Sequence, residues 1–176
     1  MGSEVVAIDL ALPGAFNRAN GALALLAARA WGVDAATASE RMRTVASVEG
    51  RFEVRTWAGR QWRLMLAKNP AGFAALLPEV AVGRDDLVVA INAAVADGHD
   101  PAWLYDAPFE LLHERRVWCD GARALDLATR LDYGGVSVVA INDLFAMARD
   151  IRATDPIDVV ANYTAFAQWR ERTSPC

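Results

Sequence analysis

One short stretch constrains the fold more than any other, because residues 87–91 form an apolar run without a polar interruption. Such a run is typical of a strand that is buried on both faces of a parallel sheet. Strand and helix patterns alternate along the chain after residue 60. The sequence therefore predicts an α/β fold of the Rossmann-like type, with a mostly parallel sheet and helices on both of its faces.

Composition excludes several classes of protein. The 176 residues suit one well-cored domain, or one domain with an appendage. The 18 basic and 22 acidic residues are spread along the chain and give a net charge of −4, which argues against a nucleic-acid-binding surface. The two cysteines are too few for a zinc site, and we expect no metal site. No apolar run approaches the roughly 20 residues that cross a bilayer, so we expect a cytoplasmic protein.

Residues 1–50 are expected to differ from the rest of the chain. They predict a strand over residues 4–10, a helix over 18–31 that Asn17 caps, and a second helix from Asp34 to about residue 45. Asn and Asp side chains accept hydrogen bonds from the first N–H groups of a helix, which makes them good caps. The pattern changes from helical to strand spacing near residue 50, so we expect two domains, 1–50 and 51–176.

The second domain is predicted to begin with a β-hairpin, because Ala58, Gly59 and Arg60 separate two strand-like runs. Strands are expected over residues 52–57, 61–67, 87–91, 116–119, 136–141 and 157–161, and helices over 73–77, 122–131, 144–153 and 165–172. Cys119 lies in one of the apolar runs and is interpreted as an inert core thiol.

The best candidate site follows the strand over residues 87–91, where Asp97, His99, Asp100 and Asp106 lie close together in sequence. In open α/β sheets, ligands and partners meet the loops at the carboxyl ends of the strands. Trp103 lies in the same stretch and is a candidate interface anchor. The alternative is an ordinary solvated loop, because Asp, Gly and Pro are also common turn residues.

Two basic residues are candidates for anion binding. Lys68 follows a predicted strand, and Arg123 lies in the first turn of a predicted helix, where it could hold a phosphate or a carboxylate. The alternatives are a surface lysine beside a turn proline and an intramolecular salt bridge. The sequence contains no glycine-rich phosphate loop, and it contains no Ser or Cys nucleophile in a strand–turn–helix elbow. Hydrolysis by this chain alone therefore has little support.

Taken together, several motifs resemble the C-terminal part of the Mur-ligase-like subunit in the MurT–GatD family of lipid II isoglutaminyl synthases. The matching segments are Leu-Ala-Lys-Asn-Pro-Ala-Gly at 66–72, Asn92 with 96–100, 103–106 with 109–110, 121–124 with 130–131, and 162–165. Residues 13–20 resemble a paired-asparagine motif that lies near the adenine in Mur ligases, and residues 50–53 resemble an interdomain link. Residues 1–50 therefore resemble the end of a Mur-ligase central domain.

The resemblance implies a function. In this family, MurT forms a heterodimer with GatD, a glutaminase-like subunit that carries a nucleophilic cysteine and a histidine. Ammonia from glutamine amidates the α-carboxyl of the D-glutamate in lipid II at the inner face of the membrane, with ATP and Mg²⁺ used by the full-length subunit. The MurT C-terminal domain supplies an aspartate that completes the glutaminase triad, and by motif position this residue is Asp100.

The resemblance also suggests roles for other residues. The predicted nucleotide-binding residues are Asn17, Asn20, Arg51, Lys68 and Arg123. The predicted partner-interface residues are His99, Trp103 and Asp106. The family's ATP-binding core and zinc-ribbon cysteines have no counterpart here, so we expect part of a larger subunit that holds no ATP by itself and is inactive alone.

The chain departs from the family pattern beside Asp100. His99 stands where the family usually has Arg, and Pro101 stands where it usually has Ser. Pro101 can begin a helix, so Asp100 could instead be a structural cap, and Asp97 and Asp106 remain alternative carboxylates. Two other functions stay open: a non-catalytic Rossmann-like module that binds a nucleotide or a peptide, and a self-sufficient hydrolase that uses His99.

Overall fold

A computed structural model of the protein describes residues 6–45, 48–83, 85–141 and 143–175. The chain forms two compact units, Met1–Phe52 and Glu53–Cys176. The predicted boundary at residue 50 lies beside this division. That the first unit corresponds to the end of a Mur-ligase central domain stays a prediction.

The first unit contains helices α1, Ala15–Ala30, and α2, Ala35–Arg43. The Thr37 N–H donates to Asp34 Oδ2 at 3.0 Å, which confirms Asp34 as the cap of α2. The prediction that Asn17 caps α1 is wrong. The left-handed φ of 101° at Gly14 allows the helix to begin at Ala15, so Asn17 is a buried residue inside it.

The strand predicted over residues 4–10 does not form in its described part. Residues 6–10 have no regular secondary structure, and residues 4 and 5 lie outside the described residues. An isolated extended segment gains nothing from ladder hydrogen bonds, and the side chains of Val6 and Ile8 pack against the buried cluster of Leu25, Ala35 and Ala38 instead.

The second unit alternates strands and helices, as predicted. Its elements are β1 (Glu53–Trp57), β2 (Arg60–Leu66), α3 (Pro70–Ala81), β3 (Leu87–Ala90), β4 (Arg116–Asp120), α4 (Ala124–Tyr133), β5 (Ser137–Ala140), α5 (Leu144–Asp150), β6 (Ile157–Ala161), α6 (Tyr163–Arg172) and β7 (Ser174–Pro175). Three short 3₁₀ helices connect β3 to β4, namely Val95–Asp97, Pro101–Asp106 and Phe109–Leu112.

The described residues of this unit form a seven-stranded sheet in the order β5-β4-β3-β6-β2-β1-β7. Neighbouring strands from β5 to β2 pair in parallel. The antiparallel pair of β1 and β2 is the predicted hairpin, and β7 adds to the free side of β1. The predicted α/β class with a mostly parallel sheet is confirmed.

Helices cover both faces of the sheet. On one face, Val88 and Ala90 of β3 pack into a cluster with Met147 of α5 and Phe166 and Trp169 of α6. Side chains alternate along a strand, so the equally buried Leu87 and Val89 point to the opposite face. The run of apolar residues at 87–91 is therefore central to the core, as the sequence indicated.

All four helices of this unit differ from their predicted bounds, and α6 begins at Tyr163, two residues earlier than predicted. α3 begins earlier than predicted because Asn69 Oδ1 accepts the Gly72 N–H at 2.8 Å and Pro70 occupies the first turn. α4 begins at Ala124 because the Arg123 N–H donates to the Ile91 carbonyl at 2.9 Å and holds the preceding turn against the end of β3. α5 ends at Asp150, and the next residue, Ile151, is extended.

Cys119 is fully buried in β4, and burial raises the pKa of its thiol to about 12. The interpretation of Cys119 as an inert core thiol is thus confirmed. Across the part of the chain that the structure describes, no helix combines the length and the apolar character needed to cross a bilayer.

Gly121 has a backbone that only glycine adopts without strain at this position. Its φ is +92°, and an added Cβ would overlap the Ile91 carbonyl oxygen. We expect Gly121→Ala to lower the free energy of unfolding by about 2–4 kcal/mol, through the left-handed backbone and the overlap together. Urea unfolding measures this change.

Gly59 is the matched control for Gly121. It also has a positive φ of +73°, but nothing lies within 4 Å of its added Cβ. Gly59→Ala should therefore show only the backbone cost, about 1–2 kcal/mol. Equal losses in the two variants would contradict the close approach between Gly121 and Ile91.

Asp86 is a buried carboxylate that ties the start of β3 to β4. It accepts hydrogen bonds from Trp118 Nε1 at 2.9 Å, from the Arg152 N–H at 2.9 Å and from the guanidinium of Arg116. Burial raises the pKa of this carboxyl, but the hydrogen bonds from these three donors outweigh burial and the pKa is lowered.

The lowered pKa of Asp86 predicts a pH-dependent contribution to stability. Ionised Asp86 stabilises the fold above about pH 4, and this stabilisation is lost as the pH falls through the lower pKa of the folded state. Asp86→Asn should lower the free energy of unfolding by about 1–3 kcal/mol at pH 7, and the difference should shrink below pH 4. Asp132→Asn, at an exposed position, should change stability little at either pH; a pH-independent loss in Asp86→Asn would refute the charge argument.

Candidate functional site

The residues that follow four parallel strands lie at one edge of the sheet. Because β2, β3, β4 and β6 are parallel, their carboxyl ends lie at the same edge. Lys68 follows β2, Asn92 follows β3, Gly121 follows β4 and Asn162 follows β6. This is the edge where open α/β sheets bind ligands.

The buried side chain of Asn162 pairs with both backbone groups of Asn92. The Asn92 N–H donates to Asn162 Oδ1 at 3.0 Å, and Asn162 Nδ2 donates to the Asn92 carbonyl at 2.8 Å. The two residues are 6% and 1% exposed. Two buried strand ends are thus joined with their polar groups satisfied, which avoids the cost of an unpaired buried amide.

The side chain of Asn92 links this pair to three further residues. Its Oδ1 accepts the Ala122 N–H at 2.8 Å, and its Nδ2 donates to Thr164 Oγ1 at 3.0 Å and to Gln168 Oε1 at 3.1 Å. One amide therefore connects the end of β3, the turn before α4 and the first two turns of α6.

Asp97 holds the first 3₁₀ helix against α6. Its carboxylate accepts the Thr164 N–H at 2.9 Å, the Ala94 N–H at 3.1 Å and the hydroxyl of Thr164. A carboxylate at the start of a helix also interacts favourably with the helix dipole. Both oxygens of Asp97 are engaged within the chain, so its geometry is that of a structural anchor.

A cleft of about 390 Å³ opens beside this network, and we call it the edge cleft. It is lined by Asn92, Ala93, Ala94, Ala122, Arg123, Thr164 and Gln168. The side chain of Arg123 is 42% exposed, and its Nη1 lies 3.5 Å from Asp126 Oδ2. Arg123 occupies the position just before α4 and not its first turn.

Asp100 immediately precedes the second 3₁₀ helix, at its cap position, and is exposed. Its Oδ1 accepts the Ala102 N–H at 2.8 Å, and Pro101 occupies the first helical position. The geometry of the structural cap that the sequence allowed is therefore present. Asp100 also lines a cavity of about 240 Å³ with Tyr105, Asp126 and Thr129, so this carboxylate is on the surface and not in the core.

The three predicted interface residues near Asp100 have different environments. His99 and Asp106 are exposed. Trp103 is partly buried, and its ring lies 5.4 Å from the ring of Phe73, measured between centroids. Trp103 therefore contributes to the packing of its own chain, while its role at a partner interface stays a prediction.

Arg130 fixes the segment that carries Asp100. This buried guanidinium donates to the Leu104 carbonyl at 3.1 Å, to the Ala107 carbonyl at 2.9 Å and to Glu110 Oε1 at 2.7 Å. The pKa of Glu110 is lowered by a hydrogen bond from the backbone N–H of Glu110 to its own carboxylate, and also by Arg130. Arg130 is thus a structural clamp, and it does not share a ligand surface with Arg123.

Lys68 has a different environment from Arg123. Its side chain is exposed, and its Nζ lies 5.1 Å from the centroid of the Tyr163 ring at the start of α6. This is a cation–π distance. The ammonium group remains open to solvent at the carboxyl edge, where it can meet an anion.

The other predicted nucleotide-binding residues come together in the first unit. Asn17, Asn20 and Arg51 line a mostly apolar cavity of about 270 Å³. Asn17 is buried and its Nδ2 donates to the Pro13 carbonyl at 2.5 Å, which orients the side chain. The guanidinium of Arg51 lies 5.3 Å from the Phe16 ring centroid, and the Phe16 ring stacks on Phe52.

Within the described ranges, no three residues of the types His, Cys, Asp and Glu are grouped closely enough to hold a metal ion.

Two polar residues of the edge cleft were missed as site residues by sequence reasoning. Thr164 belongs to a segment that resembles the family, which was a usable signal. For Gln168, the only signal in the sequence was its position one helical turn after Thr164.

Comparisons with known proteins agree on one family. A sequence model described as MurT ligase C-terminal matches residues 66–166, more than half of the chain. The MurT subunit of lipid II isoglutaminyl synthase (glutamine-hydrolyzing) from Staphylococcus aureus strain COL is 31% identical over 172 residues, which cover 93% of this chain. The corresponding subunit from Streptococcus pneumoniae is 27% identical over 168 residues, which cover 90% of this chain.

The chain spans about two fifths of the length of these curated relatives, 39% and 38%. Solved structures share its fold at lower identity. The ligase MurC from Thermotoga maritima has a TM-score of 0.65 and 16% identity, with 97% of this chain and 40% of that chain covered. Escherichia coli FolC in complex with DHPP and ADP has a TM-score of 0.52 and 20% identity, with 90% and 37% covered.

The fold, the motifs at the carboxyl edge and the family match all agree. The chain belongs to the MurT ligase C-terminal family.

Proposed function

We propose that this chain is part of a glutamine-dependent, ATP-consuming amidotransferase that amidates the D-glutamate α-carboxyl of lipid II. Its second unit docks a GatD-type glutaminase, and Asp100 supplies the aspartate of the glutaminase triad. Family membership supports the reaction, because the relatives are named as subunits of a glutamine-hydrolyzing synthase. A subunit name also implies a partner. The enzyme would act in the cytoplasm, at the inner face of the membrane.

The exposed carboxylate of Asp100 is the observation that carries the triad role. Its Oδ1 is fixed by the Ala102 N–H, so the cap and the triad role are compatible: one oxygen orients the group and the other can accept an N–H from a partner's imidazole. The alternative carboxylate Asp97 has both oxygens engaged within the chain.

Asp100 would act by orienting a histidine. A carboxylate that accepts the N–H of one imidazole nitrogen leaves the other nitrogen free to take the proton of the cysteine nucleophile. Ammonia forms when that cysteine attacks the glutamine carboxamide. Because the carboxylate comes from a second chain, glutamine hydrolysis requires assembly, and ammonia is released only where it can be used.

Hydrolysis by this chain alone is not supported. The buried thiol of Cys119, with its raised pKa, cannot act as a thiolate nucleophile near neutral pH. His99 is exposed, and neither His99 nor Asp106 makes a described hydrogen bond to a nucleophilic side chain.

We expect Asp100→Asn to preserve the complex with the glutaminase and to lower its glutamine turnover by about 10²–10⁴. The asparagine Oδ1 can still accept the Ala102 N–H, so the local fold should be retained, but the charge that stabilises the imidazolium is lost. Ammonia release by the purified complex measures the rate.

The control for Asp100 is Asp106→Asn, which changes another exposed carboxylate at the other end of the same 3₁₀ helix. This variant should retain turnover near the level of the unchanged protein. Unchanged turnover in Asp100→Asn would refute the triad role. Failure of the chain to form any complex with the glutaminase would favour the non-catalytic binding module.

We also propose that the cavity of the first unit contributes to the nucleotide site of the full-length subunit. This mostly apolar cavity of about 270 Å³ suits a planar base, and the exposed residues Asn20 and Arg51 of its lining supply polar contacts. That Lys68 of the second unit contacts a nucleotide stays a separate prediction from the sequence. That this chain holds no ATP unaided stays a prediction from the family resemblance.

Arg51→Ala should raise the KM for ATP of the assembled synthase about tenfold, which corresponds to about 1.4 kcal/mol. Glutamine hydrolysis should be unaffected, because Arg51 is not in the glutaminase site. Steady-state amidation assays measure the change. Arg18→Ala, at an exposed position of α1 outside the cavity, is the control, and an equal change in both variants would argue against the assignment.

A further inference from the structure

The edge cleft has a hydrogen-bond network whose direction is fixed by a backbone group. The Ala122 N–H can only donate, so the Asn92 atom that it meets is Oδ1. Asn92 Nδ2 therefore donates to Thr164 Oγ1 and to Gln168. The atom of Gln168 that faces Asn92 must be its oxygen.

This direction leaves the amide nitrogen of Gln168 as the outward-facing group. Its Oε1 is engaged by Asn92, and among the residues that the structure describes none accepts a hydrogen bond from its Nε2. The Thr164 hydroxyl donates to Asp97 and accepts from Asn92. Gln168 therefore offers N–H donors to a molecule in the cleft, while Thr164 is already satisfied.

Arg123 adds a positive charge to the same cleft. The described contact of its side chain is to Asp126, where Nη1 and Oδ2 are separated by 3.5 Å, the outer limit for a hydrogen bond. A guanidinium has five N–H donors and no acceptor. The lining thus combines donors from Arg123 and Gln168 with apolar alanines, and it suits a ligand with a negatively charged acceptor.

The backbone N–H groups around the edge cleft favour a carboxylate ligand over a phosphate. Phosphate sites usually gather several free backbone N–H groups. At the edge cleft, five backbone N–H groups already donate within the chain. Those of Ala94 and Thr164 donate to Asp97, and those of residues 92, 122 and 123 donate to Asn162, Asn92 and Ile91 in that order. Apart from Gln168, which lies inside α6, Ala93 has the one N–H of the described cleft lining outside this set, so the several free N–H groups of a phosphate site are not gathered here. The planar guanidinium of Arg123, with the side-chain amide of Gln168 beside it, matches a planar carboxylate better than a phosphate.

We propose that the edge cleft binds a carboxylate of the peptide substrate, held by the guanidinium of Arg123 and the side-chain amide of Gln168. The inference rests on the proposed function, which gives the substrate as a peptide with a free D-glutamate α-carboxyl. It assigns Arg123 to this carboxylate in place of a nucleotide phosphate. The volume of about 390 Å³ leaves room for the neighbouring peptide atoms.

The test is an NMR titration of this chain with a dipeptide in which D-glutamate is linked through its γ-carboxyl and keeps a free α-carboxylate. We expect saturable shifts of the Gln168 side-chain amide, with a dissociation constant on the order of 1 mM. The same dipeptide with an α-carboxamide should bind at least tenfold more weakly, because it lacks the charge that Arg123 recognises.

Two variants test the named groups. Arg123→Gln removes the charge, and Gln168→Glu keeps an oxygen for Asn92 Nδ2 but replaces the outward donor with a negative charge. Each should weaken dipeptide binding at least tenfold. Arg149→Gln is the control, because Arg149 is an exposed arginine of α5 that pairs with the adjacent Asp150 outside the cleft. It should leave binding unchanged.

Inorganic phosphate and ATP form the competing arm of the titration. Tighter binding of either one at the cleft, equal binding of the carboxylate and carboxamide dipeptides, or no shift at Gln168 would overturn the proposal. Glutamine hydrolysis by the assembled complex should be unchanged in the control variant Arg149→Gln. If dipeptide binding fails while Asp100→Asn still abolishes hydrolysis, the cleft assignment is wrong and the proposed function stands.

Discussion

The pairing of the Asn162 side chain with the backbone of Asn92 is the interaction on which the carboxyl edge of this sheet depends. The Asn162 amide satisfies both the N–H and the carbonyl of Asn92 at the end of a buried strand, where water cannot do so. The side-chain amide of Asn92 then orients Thr164 and Gln168 and receives the turn before α4. The strand ends at this edge are therefore joined by polar contacts as well as by the hydrophobic core below them.

The sheet below this edge was accessible from the sequence. The apolar run at 87–91 and the alternation after residue 60 depend on burial and on side-chain periodicity, and both are local properties of the chain. Asp34 and Asn69 are caps whose function also depends on neighbours in sequence. Asn17 was misassigned as a cap because the preceding Gly14 permits a backbone that starts the helix earlier, and a side-chain preference does not reveal it.

The site could be predicted from the sequence only in part, and the reason differs from that for the helix bounds. Asp100, Lys68 and Arg123 could be selected because charged residues after strands are recognisable one at a time. Gln168 acquires its role only through a bond to Asn92, a residue far from it in sequence. Arg130 lies on the same helix as the residues that follow Arg123, but its neighbours are carbonyl groups from the segment between β3 and β4. No local pattern encodes such long-range partners.

The clamp at Arg130 has a consequence for how this surface can change. Two of its hydrogen bonds go to main-chain carbonyls of Leu104 and Ala107, and every amino acid carries a carbonyl. The exposed side chains between β3 and β4 can therefore change during evolution while the backbone that carries Asp100 keeps its place.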